Sequence, residues 1–140
     1  YIRQVARSIS TKSKPENFQI SAVEKMPFAD NSFDLVISCA VLHFAENETQ
    51  FNQMFAEMWR VLKPYGTLFI RLASDIGIEH LVQNLGGRRF YLPDESERFV
   101  VNEKMLIDKT IEVNGELIEP IKTTNVQNLR CMTTWVLQKM

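Results

Sequence analysis

Few residues in this sequence are placed for acid–base chemistry, and His43 is the first of them. It follows the apolar run Leu35 to Cys39 within the string FDLVISCAVLHF. Histidine has an ordinary pKa near neutrality, so His43 could take a proton from a substrate oxygen or nitrogen within hydrogen-bond distance. The alternative is a ring that packs against its neighbours and has a structural role. The sequence leaves both interpretations open.

A second group of residues could hold a ligand. Arg88 and Arg89 lie beside Phe90 and Tyr91, where two cations and two rings could clamp an acidic or planar substrate. The alternative is a pair of solvent-exposed arginines. Residues 88–101 show no clear hydrophobic period and mix aromatic with charged side chains, which predicts a loop that could act as a lid. We therefore expect Arg88, Arg89 and Tyr91 to contribute to substrate binding.

Composition narrows the classes of function. The 140 residues suffice for one domain, and 45% of them are hydrophobic. A net charge of -1 gives no excess of positive charge for binding nucleic acid, and no apolar run is long enough to span a membrane. Cys39 and Cys131 have neither metal-binding nor redox spacing, and we find no other pattern typical of a metal site. We expect reduced cysteines and a cytoplasmic protein that acts on a small molecule.

The elements that must position these residues centre on a β-α-β unit. Two apolar runs of strand length, Leu35 to Cys39 and Thr67 to Leu72, flank an amphipathic segment that predicts a helix over Glu48 to Leu62. Asn47, followed three residues later by Gln50, predicts the N-cap of this helix. Strands joined by a helix are normally parallel with a right-handed crossover. The sequence therefore predicts an open α/β sheet.

The flanking segments predict further elements. Before the central unit we expect a helix over Tyr1 to Ile9 and a short strand over Phe18 to Val23, and Lys63 to Gly66 predicts a type I turn. After it, apolar residues at helical spacing predict a helix over 78–85 that ends at Gly86-Gly87.

Nearer the C-terminus, Asn102 predicts the start of another helix, which stops at Asn114-Gly115. Glu116 to Thr124 and Arg130 to Gln138 then predict an antiparallel hairpin, with Pro120 placing the first strand at a sheet edge.

Three motifs together give the chain a family resemblance. Met26-Pro27-Phe28, then Phe33-Asp34 entering a strand, then Arg60 to Gly66 (RVLKPYG) leading into the next strand, resemble the second half of the class I S-adenosylmethionine-dependent methyltransferase domain, especially its small-molecule branch. The resemblance extends over the whole chain and is weakest in residues 88–101. It implies a Rossmann-like, mainly parallel sheet with a C-terminal antiparallel hairpin, and S-adenosylmethionine as cofactor.

The resemblance also identifies what the sequence lacks. In the family a glycine-rich loop after the first strand receives the methionine part of the cofactor, and this chain has five glycines, none of which forms such a loop. The first two strands of the family sheet are missing too. We expect Phe33 to Cys39 to have an open apolar edge, which an upstream part of a longer chain or a second copy, by dimerisation or strand exchange, would cover.

The resemblance assigns cofactor contacts to two segments. Ala22, Val23 and Glu24 align with the residues that receive the adenine, with Ala22 at the position of a usual aspartate, so either Glu24 substitutes or packing holds the adenine. Cys39, Ala40 and Val41 would pass beneath the sulfonium end of the cofactor. Both segments lie where ligands bind open α/β sheets, outside the carboxyl ends of the strands.

Two functions therefore follow from the sequence. The first is methyl transfer to a small molecule, in which the protein mainly aligns acceptor, methyl carbon and sulfur in one line and excludes water. The second is a non-catalytic module, or a fragment, that keeps the sheet without the cofactor site. For the 140 residues alone we expect little or no affinity for S-adenosylmethionine.

Overall fold

The computed structural model describes residues 15–140, so the helix expected over Tyr1 to Ile9 lies outside the described part. The strands are β1 (Phe33–Cys39), β2 (Leu62–Ser74), β3 (Gln83–Gly86), β4 (Arg89–Tyr91), β5 (Glu97–Phe99), β6 (Gly115–Leu117), β7 (Lys122–Val126) and β8 (Arg130–Lys139). The helices are α1 (Glu48–Val61) and α2 (Glu103–Glu112), with short 3-10 helices at Pro15–Asn17 and Leu42–Phe44.

The main sheet contains the predicted β-α-β unit. β1 and β2 are parallel, with Leu35 opposite Thr67 and Cys39 opposite Arg71. β8 pairs antiparallel with the other side of β2, and β6 and β7 both pair antiparallel with β8. The open α/β sheet and the C-terminal antiparallel hairpin are thus confirmed. Among the described residues, β1 pairs with β2 alone, and its Leu35 and Ile37 are 54% and 64% exposed.

One face of the sheet is covered by the two helices. α1 buries Phe51, Met54, Phe55, Met58 and Val61, and the first four of these belong to the apolar face that the sequence predicted. Phe55 stacks on Trp135 of β8 with ring centroids 5.3 Å apart. Trp135 Nε1 donates a hydrogen bond to Thr110 Oγ1 of α2 at 3.1 Å, which joins the second helix to the same core.

The predicted helix ends are confirmed by their capping bonds. The Asn47 side chain accepts a hydrogen bond from the backbone N–H of Gln50 at 2.8 Å. Asn102 does the same for Met105 at 2.8 Å. Asn114, with φ of 55°, takes the left-handed conformation just past α2.

Arg60 at the end of α1 holds the loop that carries the Met26-Pro27-Phe28 motif. Its guanidinium donates to the carbonyls of Met26 at 3.2 Å and Phe28 at 2.8 Å, and its Nε donates to Glu57 Oε1 at 2.6 Å. Glu57 in turn accepts from the backbone N–H of Met26 at 2.8 Å. These bonds lower the pKa of Glu57 to about 2, the Arg60 hydrogen bond contributing most. Two motifs that are distant in sequence are therefore one structural unit.

Three expectations for the flanking segments are wrong. Residues 18–22 are irregular rather than a strand, since most of them are exposed and no described strand lies beside them. Residues 78–85 are turns followed by β3 rather than a helix, because Gly86 and Gly87, with φ of 124° and 55°, form a tight hairpin turn that pairs β3 with β4. The expected loop over residues 88–101 contains β4 and β5, which pair antiparallel.

Of two further expectations, the type I turn is wrong and the C-terminal hairpin is confirmed only in outline. The segment Lys63 to Gly66 is part of β2, and Tyr65 has φ of 66°, which a type I turn does not contain. Gly66 is required there because a Cβ atom would lie 2.7 Å from Leu62 Cδ1 and 2.8 Å from the carbonyl oxygen of Lys63. The strand expected over Glu116 to Thr124 is interrupted around Pro120, which separates β6 from β7.

Candidate active site at the carboxyl ends of β1 and β2

A cavity of about 320 Å³ lies at the carboxyl ends of the parallel strands. Its floor comes from β2 and β8, one wall from the segment that follows β1, and the opposite wall from residues 92–98. The lining residues are Ala40, His43, Phe44, Arg71, Ala73, Leu92, Asp94, Ser96, Arg98, Arg130 and Met132. The sheet register explains part of this set, because Ala73 of β2 lies directly opposite Met132 of β8.

A sharp turn at Ala40 brings the chain from β1 into the cavity wall. The Ala40 N–H donates to the carbonyl of Arg71 at 2.9 Å, the last backbone bond between this segment and β2. Ala40 has φ of 58°, a conformation that costs a non-glycine residue about 1 to 2 kcal/mol. Backbone strain of this kind is concentrated at functional sites. The turn leads directly into the 3-10 helix that carries His43.

His43 is 6% exposed and continues the bonding of the sheet beyond the end of β1. Its Nδ1 accepts a hydrogen bond from the backbone N–H of Ala73 at 3.1 Å. Burial, followed by the positive charges of Arg98 and Arg71, lowers the pKa of His43 to about 4. The ring is therefore neutral at pH 7, and because Nδ1 is an acceptor the proton lies on Nε2. This arrangement favours a structural or positioning role over that of a general base.

The cavity carries an excess of positive charge. Arg71, Arg98 and Arg130 line it, and Asp94 is the single carboxylate among the lining residues. Asp94 accepts from the backbone N–H of Ser96 at 3.0 Å and lies 3.9 Å from Arg130. Since His43 is neutral, the described lining has a formal charge of +2.

The residues expected to bind cofactor are divided between two places. Ala40 lines the cavity beside His43, whereas Val23 lines a separate cavity of about 510 Å³ together with Met26 and Phe33. Val23 and Val41 both pack against the main hydrophobic core.

The remaining residues of these two segments lie at or near the surface. Ala22 and Cys39 are exposed, and Glu24 Oε1 accepts a long hydrogen bond from Gln50 Nε2 at 3.4 Å. The cofactor roles of both segments stay predictions.

Arg88, Arg89 and Tyr91 do not line the cavity beside His43. Arg88 donates to the carbonyl of Val100 at 2.9 Å and to Asp75 at 3.1 Å. Arg89 donates to the carbonyl of Ala45 at 2.9 Å, and Tyr91 is 39% exposed. Both guanidiniums thus fasten the small β3-β4-β5 sheet to the rest of the protein, and a role in substrate binding gains no support from their contacts.

The sequence reasoning missed the three arginines of the cavity. Arg71 had a readable signal, because it is a charge within the otherwise apolar run TLFIRLA. Arg98 and Arg130 had none, since Arg98 lies in a mixed-charge segment, Arg130 begins a predicted strand, and only the fold brings them to Arg71. Ser38, on β1, was missed too: it is 2% exposed, and its hydroxyl has no hydrogen-bond partner among the described residues.

Within residues 15–140 there is no group of three or more His, Cys, Asp or Glu side chains that could hold a metal ion. No helix in that range has the length and hydropathy needed to cross a bilayer. Cys39 and Cys131 are free thiols.

The chain was compared with known proteins. Residues 2–70 match the family model described as "Methyltransferase domain". Over 67 residues the chain is 42% identical to the biotin biosynthesis bifunctional protein BioHC of Teredinibacter turnerae, a match that covers 48% of this chain and 11% of BioHC.

Solved structures with the same fold cover most of the chain. PH0226 of Pyrococcus horikoshii superposes with a TM-score of 0.71 at 18% identity, over 99% of this chain and 65% of that one. The N-methyltransferase NodS of Bradyrhizobium japonicum, in complex with S-adenosylhomocysteine, gives a TM-score of 0.57 at 18% identity, over 85% of this chain and 52% of NodS.

Together the sheet, the motifs and these matches define a domain with the class I methyltransferase fold. The chain matches the methyltransferase family model over residues 2–70, just under half of its length, and shares its fold with these solved structures. It spans about a tenth of the length of BioHC and about two thirds of the length of PH0226.

Proposed function

We propose that this protein transfers a methyl group from S-adenosylmethionine to a small-molecule acceptor at the carboxyl ends of β1 and β2. The observation that carries the proposal is the cavity between Ala40, His43 and Arg71, which opens at the position where α/β sheets of this kind bind ligands. The cofactor supplies an activated methyl group on a sulfonium, so the carbon–sulfur bond breaks as the acceptor attacks and sulfur keeps the electron pair.

The residues at the end of β1 and directly after it fit one wall of a cofactor site. Ser38 offers a buried hydroxyl that no described residue satisfies, and leaving such a group unpaired costs about 1 to 3 kcal/mol. Cys39, Ala40 and Val41 follow it, and the left-handed turn at Ala40 sets the direction in which the chain leaves the sheet. In this proposal these residues, with Ala22, Val23 and Glu24, shape the cofactor site by packing and backbone contacts.

His43 positions the acceptor rather than removing its proton. With Nδ1 occupied by the Ala73 N–H, the ring presents Nε2–H, which has no partner among the described residues and can donate to an acceptor oxygen. The proton that the acceptor loses then passes to water. Catalysis comes mainly from alignment and from the exclusion of water.

The open edge of β1 needs a partner strand in this proposal. Leu35 and Ile37 are exposed on a strand whose second edge is unpaired within the described residues, which is costly for the fold and favours association. An upstream segment of a longer chain, or a second copy of this one, supplies the strand. Light scattering of the purified protein distinguishes these cases by its molar mass.

The test measures cofactor binding and methyl transfer separately. Titration calorimetry of the full-length protein with S-adenosylhomocysteine should show saturable binding, and labelled methyl from S-adenosylmethionine should appear in a small-molecule acceptor. Ala22→Asp, which restores the usual carboxylate for the adenine, should tighten binding by about fivefold. The control Thr124→Asp adds the same charge at an exposed position on β7 and should change nothing. Absence of binding in both the parent and Ala22→Asp would favour the non-catalytic module instead.

A further inference from the structure

We infer that the cavity beside His43 takes a methyl acceptor that carries an anionic group, a carboxylate or a phosphate, on an apolar body. The inference rests on the proposed function and names the substrate class of that same site. It is carried by three guanidiniums that converge on one cavity without enough carboxylates to balance them.

The positive charge of the cavity lining contrasts with the slightly negative net charge of the whole chain. The whole sequence has a net charge of -1, yet the described lining of this cavity has a formal charge of +2. The Arg71 guanidinium has no ion-pair or hydrogen-bond partner among the described residues, although Arg71 lies on β2 beside Cys39. A guanidinium with no internal partner, at the floor of a cavity, is free to bind an anion from solution.

The other two arginines are held without being neutralised. Arg98 lies over the ring of Phe44, 4.8 Å from its centroid, and donates to the carbonyl oxygen of Glu97 at 2.8 Å. Neither contact removes its charge. Arg130 is 3.9 Å from Asp94, which is too long for a direct hydrogen bond. Asp94 instead accepts hydrogen bonds from the backbone N–H and the hydroxyl of Ser96, and so orders the wall of the cavity.

Arginines that serve the fold look different in this protein. Arg88 and Arg60 each donate to backbone carbonyls and to a carboxylate within 3.1 Å, so their guanidiniums are used internally. None of the three arginines that line the cavity has a carboxylate within hydrogen-bond distance among the described residues. The sequence could not make this distinction, since all of these residues are simply arginines in a mixed-charge chain.

The remaining lining residues indicate that the uncharged part of the acceptor is apolar. Phe44, Ala73, Leu92 and Met132 provide an apolar surface between the charges. The volume of about 320 Å³ is at the lower end of the range for ligand sites, which suits a small molecule rather than a peptide or nucleic acid. Neutral His43 at one side donates to a polar atom of the acceptor and does not repel the cations around it.

The experiment uses three probes of matched shape. Phenylacetate and phenyl phosphate carry the two anionic groups, and phenylacetamide is the neutral counterpart. Binding to the full-length protein is followed by the shift of arginine Nε–H signals in NMR spectra, with and without saturating S-adenosylhomocysteine. At least one anion should bind with a Kd of about 10 mM or tighter, and phenylacetamide should bind at least about tenfold more weakly. Which anion binds more tightly identifies the acceptor group as a carboxylate or a phosphate.

Two charge-removing variants assign the site. Arg71→Met should weaken anion binding by about tenfold or more, because it removes a guanidinium that has no described internal partner. Lys104→Met removes the same charge from an exposed position on α2 and should have no effect. The inference is overturned if neither anion binds, if phenylacetamide binds as well as the anions, or if Arg71→Met binds them unchanged.

The outcomes separate this inference from the proposed function. S-adenosylhomocysteine that binds normally to the parent and to Arg71→Met, while no anion binds, leaves methyl transfer standing and refutes the anionic acceptor. Anions that bind through Arg71 in a protein that does not bind S-adenosylhomocysteine refute the proposed function and leave an anion site. A fall in S-adenosylhomocysteine affinity in Arg71→Met, with anion binding unchanged, would assign the arginine to the cofactor and refute the inference.

Discussion

Replacing His43 with asparagine or leucine tests how the end of β1 is built. Asparagine keeps an acceptor near the position of Nδ1, so the Ala73 N–H stays paired, whereas leucine removes the acceptor. A buried N–H left unpaired costs about 1 to 3 kcal/mol. At pH 7 we therefore expect His43→Leu to be less stable than His43→Asn by about that amount, although both lose the contact with the Phe44 ring.

Comparison of the parent with His43→Asn isolates the titration of the ring. Burial and the charges of Arg98 and Arg71 lower the pKa of His43 from an ordinary 6.5 to about 4. Between these values the unfolded chain binds the proton and the folded protein does not, so stability falls as the pH falls from 6.5 to 4 and then loses no more through this group. Each pKa unit is worth about 1.4 kcal/mol, which gives a loss of about 3 kcal/mol.

Urea unfolding of the parent and of His43→Asn at pH 7 and at pH 4 measures this loss, because all other titrating groups cancel in the difference. Relative to His43→Asn, the parent should lose about 3 kcal/mol between the two pH values. Long-range nitrogen–proton NMR spectra should show the proton on Nε2. A ring that titrates near 6.5, or that carries its proton on Nδ1, would refute the geometry described here.

Three further predictions concern the fold. Asn47→Ala should destabilise the protein by about 1 kcal/mol in urea unfolding, because it removes the N-cap of α1, whereas Asn47→Asp should not. Thr110→Val should cost about 1 to 2 kcal/mol, because Trp135 Nε1 loses its acceptor in the core, and a similar loss in the exposed control Thr124→Val would contradict this assignment. The charged Glu57 side chain makes a stabilising contribution that is present above pH 4.5 and is lost as the pH falls towards about 2, and Glu57→Gln should remove it. The parent and Glu57→Gln should therefore converge in thermal stability at low pH. A difference in stability that is the same at pH 7 and pH 2 would show that the Glu57 charge does not matter.

The β-α-β unit could be predicted from sequence because local signals agree with each other there. The apolar stripe of α1, its Asn47 cap and two flanking apolar runs all specify the same arrangement, and the structure confirms each of them. The helix capped by Asn102 was predicted for the same reason. In these segments propensity, pattern and tertiary packing require the same conformation.

The errors lie where local patterns and tertiary structure disagree. Ile78, Leu81 and Leu85 have helical spacing, but Ile78 alone is buried, while Leu81 and Leu85 remain 41% and 47% exposed in turn and strand. Gly86-Gly87 was interpreted as a helix end, although consecutive glycines with positive φ equally form a hairpin turn. Spacing in so short a segment could not decide between the two.

The candidate site could be predicted only in part. Its location followed from the strand ends, and Ala40 and His43 do line the cavity. The strained turn at Ala40 had no sequence signal, since alanine rarely adopts positive φ. Arg71, Arg98 and Arg130 come from β2, β5 and β8, so their convergence depends on strand register, which the composition of each segment does not encode.

Amide shift mapping with S-adenosylhomocysteine tests whether the cofactor binds at the carboxyl ends of β1 and β2, because it reports both binding and its location. The full-length protein, labelled with ¹⁵N, is titrated with the ligand. We expect shifts concentrated at residues 22–24 and 38–43, with β6 and β7 unchanged. A protein that shows no shifts at saturating ligand, or shifts confined to segments away from the ends of β1 and β2, would contradict it.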